Sequence, residues 1–325
     1  MNRFIAFISF LFVFSIMGVI RGLFQGMGTM IPTSFSQIIE QVIHAIISVA
    51  FPAYIVHSFA SSPYLDSYAA AGGTFGTFLG AVAAFLFLLF VFYLYRPTFK
   101  KQIKRDKSET EESYKDIFKL MILTIIPIIL SQTVYQLSGT VDGSIFSNIS
   151  EAAGIATSER EALWGVYSGY YRLLTNVPVA IASALGASAI PSIVATRVRG
   201  DEEGVHSQIR ATIKFNMLIA IPASAGMTFL AEPILAILFP RAGELAVRCL
   251  AIGSIAVVFF SLSTVSSSIL QGIDLMKKSV VNSAISLALH IVLIFVMLKF
   301  FNLGVIGLVI GNVTFALVVC ILNWF

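Results

Sequence analysis

Arg172 is a charged residue in the middle of an apolar run, within the stretch GYYRLLTNVP that covers residues 169–178. If the run from 162 to 190 is one helix, Arg172 lies about 13–15 Å from its outer end, close to the centre of a bilayer. Three further polar residues share its helical face, namely Ser168, Thr175 and Asn176. A guanidinium presents a fork of donors that matches phosphate oxygens, and it keeps its charge at every relevant pH. The pattern predicts a polar cavity wall whose arginine receives an anionic group.

The preceding apolar run carries a polar stripe of its own. Its members recur at helical spacing: Gln132, Tyr135, Gln136, Gly139 and Asp142. Because one outer loop joins the two runs, we expect the two helices to be neighbours whose stripes line one cavity wall. Asp142 has two interpretations: it neutralises Arg172 in a structural ion pair inside a packed bundle, or it holds Arg172 until an anion arrives.

The composition indicates an integral membrane protein. Of the 325 residues, 57% are hydrophobic and only 12% are charged, whereas about 25% of the residues in soluble domains are charged. The formal net charge of +4 comes from basic residues in short segments between apolar runs, so we expect no nucleic-acid partner.

No motif for covalent chemistry is found in the sequence. It contains no HExxH, no GxSxG and no phosphate loop, and its four histidines are dispersed. Cys249 and Cys320 lie inside apolar runs without CxxC spacing, which supports neither a disulfide nor a metal site. We therefore expect no enzyme activity, no metal and no cofactor.

Nine stretches have the length of about 20 mainly apolar residues that a membrane-spanning helix needs. They cover residues 4–20, 36–56, 69–95, 117–146, 162–190, 211–239, 246–270, 280–300 and 303–322. The alternating strands of outer-membrane barrels have only about 10 residues, so these longer stretches predict helices. The expected fold is all-α, a polytopic membrane bundle of about nine transmembrane helices.

The basic residues between the stretches predict the orientation. Fifteen lie on one side: Arg21, eight residues between 96 and 119, four between 197 and 214, and Lys277 and Lys278. Five lie on the other side: Arg3, Arg160, Arg241, Arg248 and Lys299. By the positive-inside rule the richer side is cytoplasmic. Residues 96–116 then form a cytoplasmic linker between two halves, residues 1–95 and 117–325.

The two halves repeat each other. The matching residues, in chain order, are Gln25, Gly26 and His44 with Gln271, Gly272 and His290, and Gly73, Gly76 and Gly80 with Gly304, Gly307 and Gly311. Three stretches before the linker thus correspond to the last three of the six after it. We therefore expect the chain to be a fragment that lacks an N-terminal trio of spans. The repeated histidines are either structural or carriers of protons.

Three segments carry a family resemblance: RGLFQGMGTMIPTSFSQIIEQ, YYRLLTNVPVAIASALGASAIPSIVATRVRGD and IPASAGMTFLAEPILAILF. They are similar to the oligosaccharide-lipid and peptidoglycan-precursor flippases of the multidrug/oligosaccharidyl-lipid/polysaccharide (MOP) superfamily, in particular to the stage V sporulation protein B-like branch. The resemblance covers nearly the whole chain. It implies two six-helix lobes around a central cavity, with residues 1–95 as the last three helices of the first lobe and residues 117–325 as the second lobe.

The resemblance also implies a function. Flippases of this family move a polyprenyl-diphosphate-linked saccharide, such as lipid II, across the bacterial inner membrane, and an arginine in their eighth span lines the cavity where Arg172 lies in this sequence. From the two polar stripes, and not from the resemblance, we expect Asn176, Gln136 and Gln132 to hydrogen-bond the phosphate or the sugar, with Asp142 beside Arg172. A coupling ion or the membrane potential would drive the cycle. We expect the fragment alone not to transport, because one lobe lacks half of its helices.

Two alternative functions stay open. A cation-coupled multidrug exporter of the same superfamily needs a cavity carboxylate, for which Asp142 is the candidate. A non-transporting membrane scaffold of cell-wall synthesis would keep its full activity in the Arg172→Ala variant.

Overall fold

The computed structural model describes residues 2–58, 65–105 and 113–324. Every regular element in these ranges is a helix, as the all-α expectation requires. The chain divides into two compact units, Met1–Glu111 and Glu112–Phe325.

Unit 1 contains the helices α1 (Asn2–Gly26), α2 (Ile31–Ser58) and α3 (Leu65–Arg105). The last helix continues without a break through residues 96–105, so it extends into the segment interpreted as a linker. Lys104 and Arg105 lie in its final turn, where positive side chains interact favourably with the helix dipole.

Helices α2 and α3 approach each other to backbone contact. A Cβ at Gly76 would lie 2.7 Å from the backbone nitrogen of Ser48, and a Cβ at Gly80 would lie 2.5 Å from the carbonyl oxygen of Glu40. Small residues four apart allow this close approach of membrane helices. The Ser48 hydroxyl also donates a 2.9 Å hydrogen bond to the carbonyl of Gly73, so α2 and α3 are joined by packing and by a polar contact.

An ion pair joins α1 to α2. Arg21 Nη2 lies 2.8 Å from Glu40 Oε2, and Arg21 Nε donates to Ser36 Oγ at 2.9 Å. Both charged side chains are largely buried in unit 1, where the loss of either one would leave the other charge unpaired.

Unit 2 contains nine α-helices and one π-helical segment in its described residues. They are α4 (Tyr114–Ala152), α5 (Thr157–Gly165), the π-helical segment (Val166–Arg172), α6 (Leu173–Val198), α7 (Glu202–Phe229), α8 (Ala231–Leu238), α9 (Glu244–Gly253), α10 (Ala256–Gly272), α11 (Met276–Lys299) and α12 (Gly304–Trp324).

The number of membrane spans differs from the expectation. In the described part of the chain, six helices are long and apolar enough to cross a membrane. The number of spans rises to eight if each of two bent helix pairs is counted as one span. The predicted count of nine is therefore not confirmed. The axes of α7 and α8 differ by 84°, and those of α9 and α10 by 45°, so the stretches 211–239 and 246–270 are not single straight helices.

The bend between α7 and α8 has a local cause. Pro233 is the third residue of α8, and a proline is tolerated in the first turn of a helix, where its missing N–H has no helical partner. Glu232, also in that turn, is favoured by the helix dipole. These residues mark the start of a new helix rather than the continuation of α7.

The glycine repeat has the same packing role in both units. A Cβ at Gly311 of α12 would overlap the Ile294 side chain of α11 and lie 3.5 Å from Cε1 of His290. In unit 1, a Cβ at Gly80 would lie 3.3 Å from Cβ of His44. In each unit a glycine therefore lets one helix pack against the histidine of its neighbour.

Candidate functional site

Arg172 is the last residue of the π-helical segment. The rings of Tyr167 and Tyr171 in this segment are fully buried and lie 5.7 Å apart between centroids. The Tyr171 hydroxyl donates to Asn312 Oδ1 at 2.9 Å, with the carbonyl of Gly253 at 3.3 Å as a second acceptor. A π-turn is wider than an α-turn and is common at functional sites. Here two anchored tyrosines fix the backbone that carries Arg172.

The guanidinium of Arg172 packs over Gly139 of α4. A Cβ at Gly139 would overlap Nη1 of Arg172 and lie 3.4 Å from its Cζ. Because glycine has no side chain, the guanidinium lies directly against the helix. Within the described part of the chain, no carboxylate is within ion-pairing distance of Arg172.

Arg172 lies on the wall of a cavity of about 500 Å³ in unit 2. Three helices and Arg172 line it: α4 supplies Gln132, Gln136 and Ser138, α6 supplies Asn176, Val179, Ser183, Ala187 and Ile190, and α10 supplies Phe260, Thr264, Ser267, Ser268 and Gln271. The lining positions on α6 recur every three or four residues, so one face of that helix forms a wall. Among the described lining residues there is one cation, several amides and hydroxyls, and no carboxylate.

Four of the five predicted site residues therefore lie together on this cavity, namely Arg172, Asn176, Gln136 and Gln132. Two polar residues of the expected stripe are directed to the backbone instead. The Ser168 hydroxyl donates to the carbonyl of Trp164 at 2.8 Å, and the buried Thr175 donates to the carbonyl of Tyr171 at 2.9 Å. The role of the four cavity residues in binding stays a prediction.

Asp142 is placed differently from the expectation. Its carboxylate is only 1% exposed and does not line the cavity. Its Oδ1 lies 2.7 Å from Nε2 of His290, and its Oδ2 accepts a 2.9 Å hydrogen bond from the Tyr167 hydroxyl.

The expected pairing of Asp142 with Arg172 is therefore wrong. At 3.6 residues per turn, Asp142 projects about 80° away from Gln132 and about 120° away from Gln136 around α4. The three residues therefore do not share one face, and the contact with His290 shows that Asp142 faces α11.

Helix α10 supplies cavity residues that the sequence did not predict as a site. Thr264, Ser267, Ser268 and Gln271 belong to the run SLSTVSSSILQ, which is unusually rich in hydroxyls for an apolar stretch. Two features of the sequence could have indicated that α10 lines the site: this hydroxyl-rich composition and the repeat of Gln25 at Gln271. Asn323 of α12 supports this face from behind, because its Nδ2 lies 3.0 Å from Ser267 Oγ.

A family model of the lipid II flippase MurJ matches residues 3–325. The chain belongs to this family. Lipid II flippase MurJ of Bacillus subtilis (strain 168) is 28% identical over 287 residues, which cover 87% of this chain and 52% of that protein. Stage V sporulation protein B of the same organism is 23% identical over 312 residues, which cover 96% of this chain and 58% of that protein. The chain thus spans little more than half the length of these curated relatives.

The fold is also found in a solved multidrug transporter. The outward-facing conformation of a multidrug resistance MATE family transporter of the MOP superfamily superposes with a TM-score of 0.72 at 16% identity, over 96% of this chain and 65% of that one. At this identity the likeness shows the fold alone. With its apolar helices, the chain is a multi-pass protein of the cytoplasmic membrane with the helical transporter fold.

Proposed function

We propose that this chain belongs to a flippase that moves a polyprenyl-diphosphate-linked saccharide, such as lipid II, from the cytoplasmic to the outer leaflet. The observation that carries the proposal is Arg172 on the cavity wall of unit 2, with no carboxylate partner in the described part of the chain. A guanidinium binds phosphate oxygens through charge-assisted hydrogen bonds, which are stronger than neutral ones.

The neutral polar lining suits the saccharide. Gln132, Gln136 and Asn176 offer both donors and acceptors, and sugar hydroxyls need both kinds of partner. In the proposed complex, Arg172 holds the diphosphate while these amides bond the sugar, and the polyprenyl chain stays in the lipid. Transport then needs no covalent step, because alternating access of the cavity to the two leaflets is sufficient.

The position of Asp142 favours the flippase over the multidrug exporter. A site for a cationic drug needs a carboxylate that reaches the ligand, and Asp142 is bonded to His290 and Tyr167 away from the cavity. The family match of residues 3–325 supports the same choice.

Binding of a fluorescent polyprenyl-diphosphate-linked disaccharide to the purified chain in detergent tests the proposal. A charge-assisted hydrogen bond is worth about 1.5–3 kcal/mol, so Arg172→Ala should weaken binding about 10- to 100-fold. Arg172→Lys keeps the charge but loses the fork of donors. Its affinity for the probe should lie between that of the wild type and that of Arg172→Ala.

Arg248→Ala is the matched control. Arg248 is an exposed arginine on α9 that pairs with Glu244 and does not line the cavity, so this variant should bind as the wild type does. Equal binding by Arg172→Ala and wild type would overturn the proposal and leave the scaffold hypothesis. Binding of cationic dyes that is lost in Asp142→Asn but kept in Arg172→Ala would support the exporter instead.

A further inference from the structure

A chain of side-chain hydrogen bonds connects α11 and α12 to the α10 wall of the cavity. Asn282 of α11 donates through Nδ2 to the carbonyl of Leu322 at 2.7 Å and to Oδ1 of Asn323 at 3.0 Å. Asn323 of α12 donates through Nδ2 to Ser266 Oγ at 2.9 Å and to Ser267 Oγ at 3.0 Å. Of these residues, Ser267 lines the cavity, and it is only 6% exposed.

A backbone carbonyl fixes the direction of every hydrogen bond in this chain. The carbonyl oxygen of Leu322 can only accept, so the end of the Asn282 amide that meets it is the NH₂ group. The same NH₂ group meets one end of the Asn323 amide, which must therefore be its oxygen. The other end of Asn323, which contacts Ser266 and Ser267, is consequently its NH₂ group. Ser267 Oγ thus accepts from Asn323 and keeps its own hydrogen for another partner.

The two carbonyls to which Ser267 could donate within α10 are already used. A serine in a helix often donates to the carbonyl three or four residues before it, which here belongs to Thr264 or Ser263. Ser266 Oγ donates to the Ser263 carbonyl at 3.0 Å. Ser268 Oγ donates to the Thr264 carbonyl at 3.1 Å. Each carbonyl also accepts a helical N–H, so both of its lone pairs are occupied and neither carbonyl is free for Ser267.

Ser267 therefore differs from its neighbour Ser266. Both hydroxyls accept from Asn323, but Ser266 donates its hydrogen to the backbone, whereas no group in the described part of the chain accepts the hydrogen of Ser267. Since Ser267 lines the cavity, its hydrogen is available there to a ligand oxygen. The bonds from Asn282 through Asn323 to Ser267 run in one direction, and such bonds polarise one another. The last donor of the chain consequently favours an oxygen that carries negative charge.

We propose that Ser267 is a hydrogen-bond donor for the anionic headgroup in the Arg172 cavity, and that Asn323 and Asn282 are positioning residues that orient its hydroxyl. Ser267 and Arg172 both lie on the wall of this cavity of about 500 Å³. A diphosphate has two phosphoryl groups, so one can bind the guanidinium while an oxygen of the other accepts from Ser267. The inference rests on the proposed function and adds to it a specific donor on α10.

Binding of fluorescent farnesyl diphosphate to the purified chain in detergent tests the inference. Ser267→Ala removes the donor and should weaken binding about tenfold or more, the effect of losing a hydrogen bond to a charged acceptor. Ser266→Ala is the matched control and should bind as the wild type does, because Ser266 is the other hydroxyl bonded to Asn323 and does not line the cavity. Equal binding by Ser267→Ala and wild type, with binding still lost in Arg172→Ala, would overturn the inference and leave the proposed function intact.

Ser267→Cys separates the donor from the volume of the side chain. A thiol fills the space of the hydroxyl but is only a weak donor, so this variant should bind the probe as weakly as Ser267→Ala does. Binding at the wild-type level by Ser267→Cys would show that only the volume matters and would overturn the donor role.

Asn323→Asp tests the positioning role. A carboxylate cannot donate, so the Ser267 hydroxyl would donate to it and turn away from the cavity. The new negative charge also weakens anion binding by itself, and a double variant separates the two effects. If Asn323 acts through Ser267, adding Ser267→Ala to Asn323→Asp should weaken binding by less than about twofold. The same loss in both backgrounds would overturn the positioning role.

Two further ligands identify the group that accepts from Ser267. Inorganic pyrophosphate, measured by competition with the fluorescent probe, should lose affinity in Ser267→Ala by the same factor, because it carries the same phosphoryl oxygens. A neutral farnesyl disaccharide without phosphate should bind Ser267→Ala and wild type equally. A loss for the disaccharide alone would place Ser267 at the sugar and overturn its assignment to the diphosphate. A wild type that binds neither farnesyl diphosphate nor pyrophosphate would overturn the proposed function together with this inference.

Discussion

Gly253 is the point at which the anchoring of the π-helical segment can be tested most directly. It ends α9, and its position is buried against the ring of Tyr171. A Cβ at Gly253 would overlap this ring, approach Tyr171 Cζ to 2.8 Å and approach Val309 Cγ1 to 2.6 Å. Because Tyr171 and Val309 are fully buried, neither can retreat without disturbing its own contacts. Gly253→Ala should therefore destabilise the chain.

The size of the effect follows from three terms. Overpacking of a closed core costs about 1–3 kcal/mol. Displacement of Tyr171 weakens its 2.9 Å hydrogen bond to Asn312, which adds about 1 kcal/mol. The higher helix propensity of alanine offsets about 0.5–1 kcal/mol. The free energy of unfolding should thus fall by about 1–3.5 kcal/mol, the sum of these terms.

Unfolding of the purified chain in detergent, followed by tryptophan fluorescence, measures this change. Trp164 reports on the site because its ring lies 5.3 Å from that of Tyr167. Gly226→Ala in α7 is the matched control, since a Cβ there meets no atom within 4 Å. This control should unfold at the wild-type midpoint or slightly above it.

A double-mutant cycle tests whether contact with the Tyr171 ring causes the loss of stability in Gly253→Ala. Tyr171→Leu removes the ring that the new methyl group meets, so the effect of Gly253→Ala should be smaller in that background by about 1 kcal/mol or more. An unchanged unfolding midpoint for Gly253→Ala, or additive effects in the cycle, would refute the view that Tyr171 is fixed against α9 and holds the backbone of Arg172 in place.

Two further predictions concern helix packing in each unit. Gly80→Ala should lower the stability of unit 1 by about 1–3 kcal/mol, because its Cβ would meet the rigid carbonyl of Glu40. Gly73→Ala is its control, because a Cβ there meets nothing within 4 Å. The α2 and α3 amides should lose protection from hydrogen exchange in Gly80→Ala and keep it in Gly73→Ala. Asn216→Ala should lower stability by about 1 kcal/mol in a detergent unfolding assay, since its buried amide donates a 2.9 Å hydrogen bond to the carbonyl of Ser261. An unchanged unfolding curve would contradict that contribution.

Helical periodicity was sufficient to predict that most residues of the candidate site lie together on one cavity. Arg172 and Asn176 are four residues apart, as are Gln132 and Gln136, and each pair lies on one helical face of the cavity. The apolar runs also located most helices of unit 2, because about 20 apolar residues have few stable conformations other than a helix in a membrane. Local pattern was informative here because both features depend on residues close in sequence.

The partner of Asp142 could not be predicted in this way. His290 is 148 residues away, and no local pattern states which face of α4 meets which face of α11. The π-helical segment was equally hidden, since nothing in the sequence VYSGYYR indicates a wider helical turn. Within this segment, Ser168 bonds to the backbone carbonyl of Trp164 and does not line the cavity.

The sequence by itself determined that this is a membrane protein of apolar helices with one deep arginine. Polar groups are costly in lipid, so they are rare in membrane spans and their positions can be recognised from composition and spacing. Only the tertiary structure decided that Arg172 lies on an open polar cavity while Asp142 pairs with a buried histidine. The physical reason is that a hydrogen-bond or ion-pair partner must lie within about 3 Å, and the packing of helices distant in sequence decides which groups come that close.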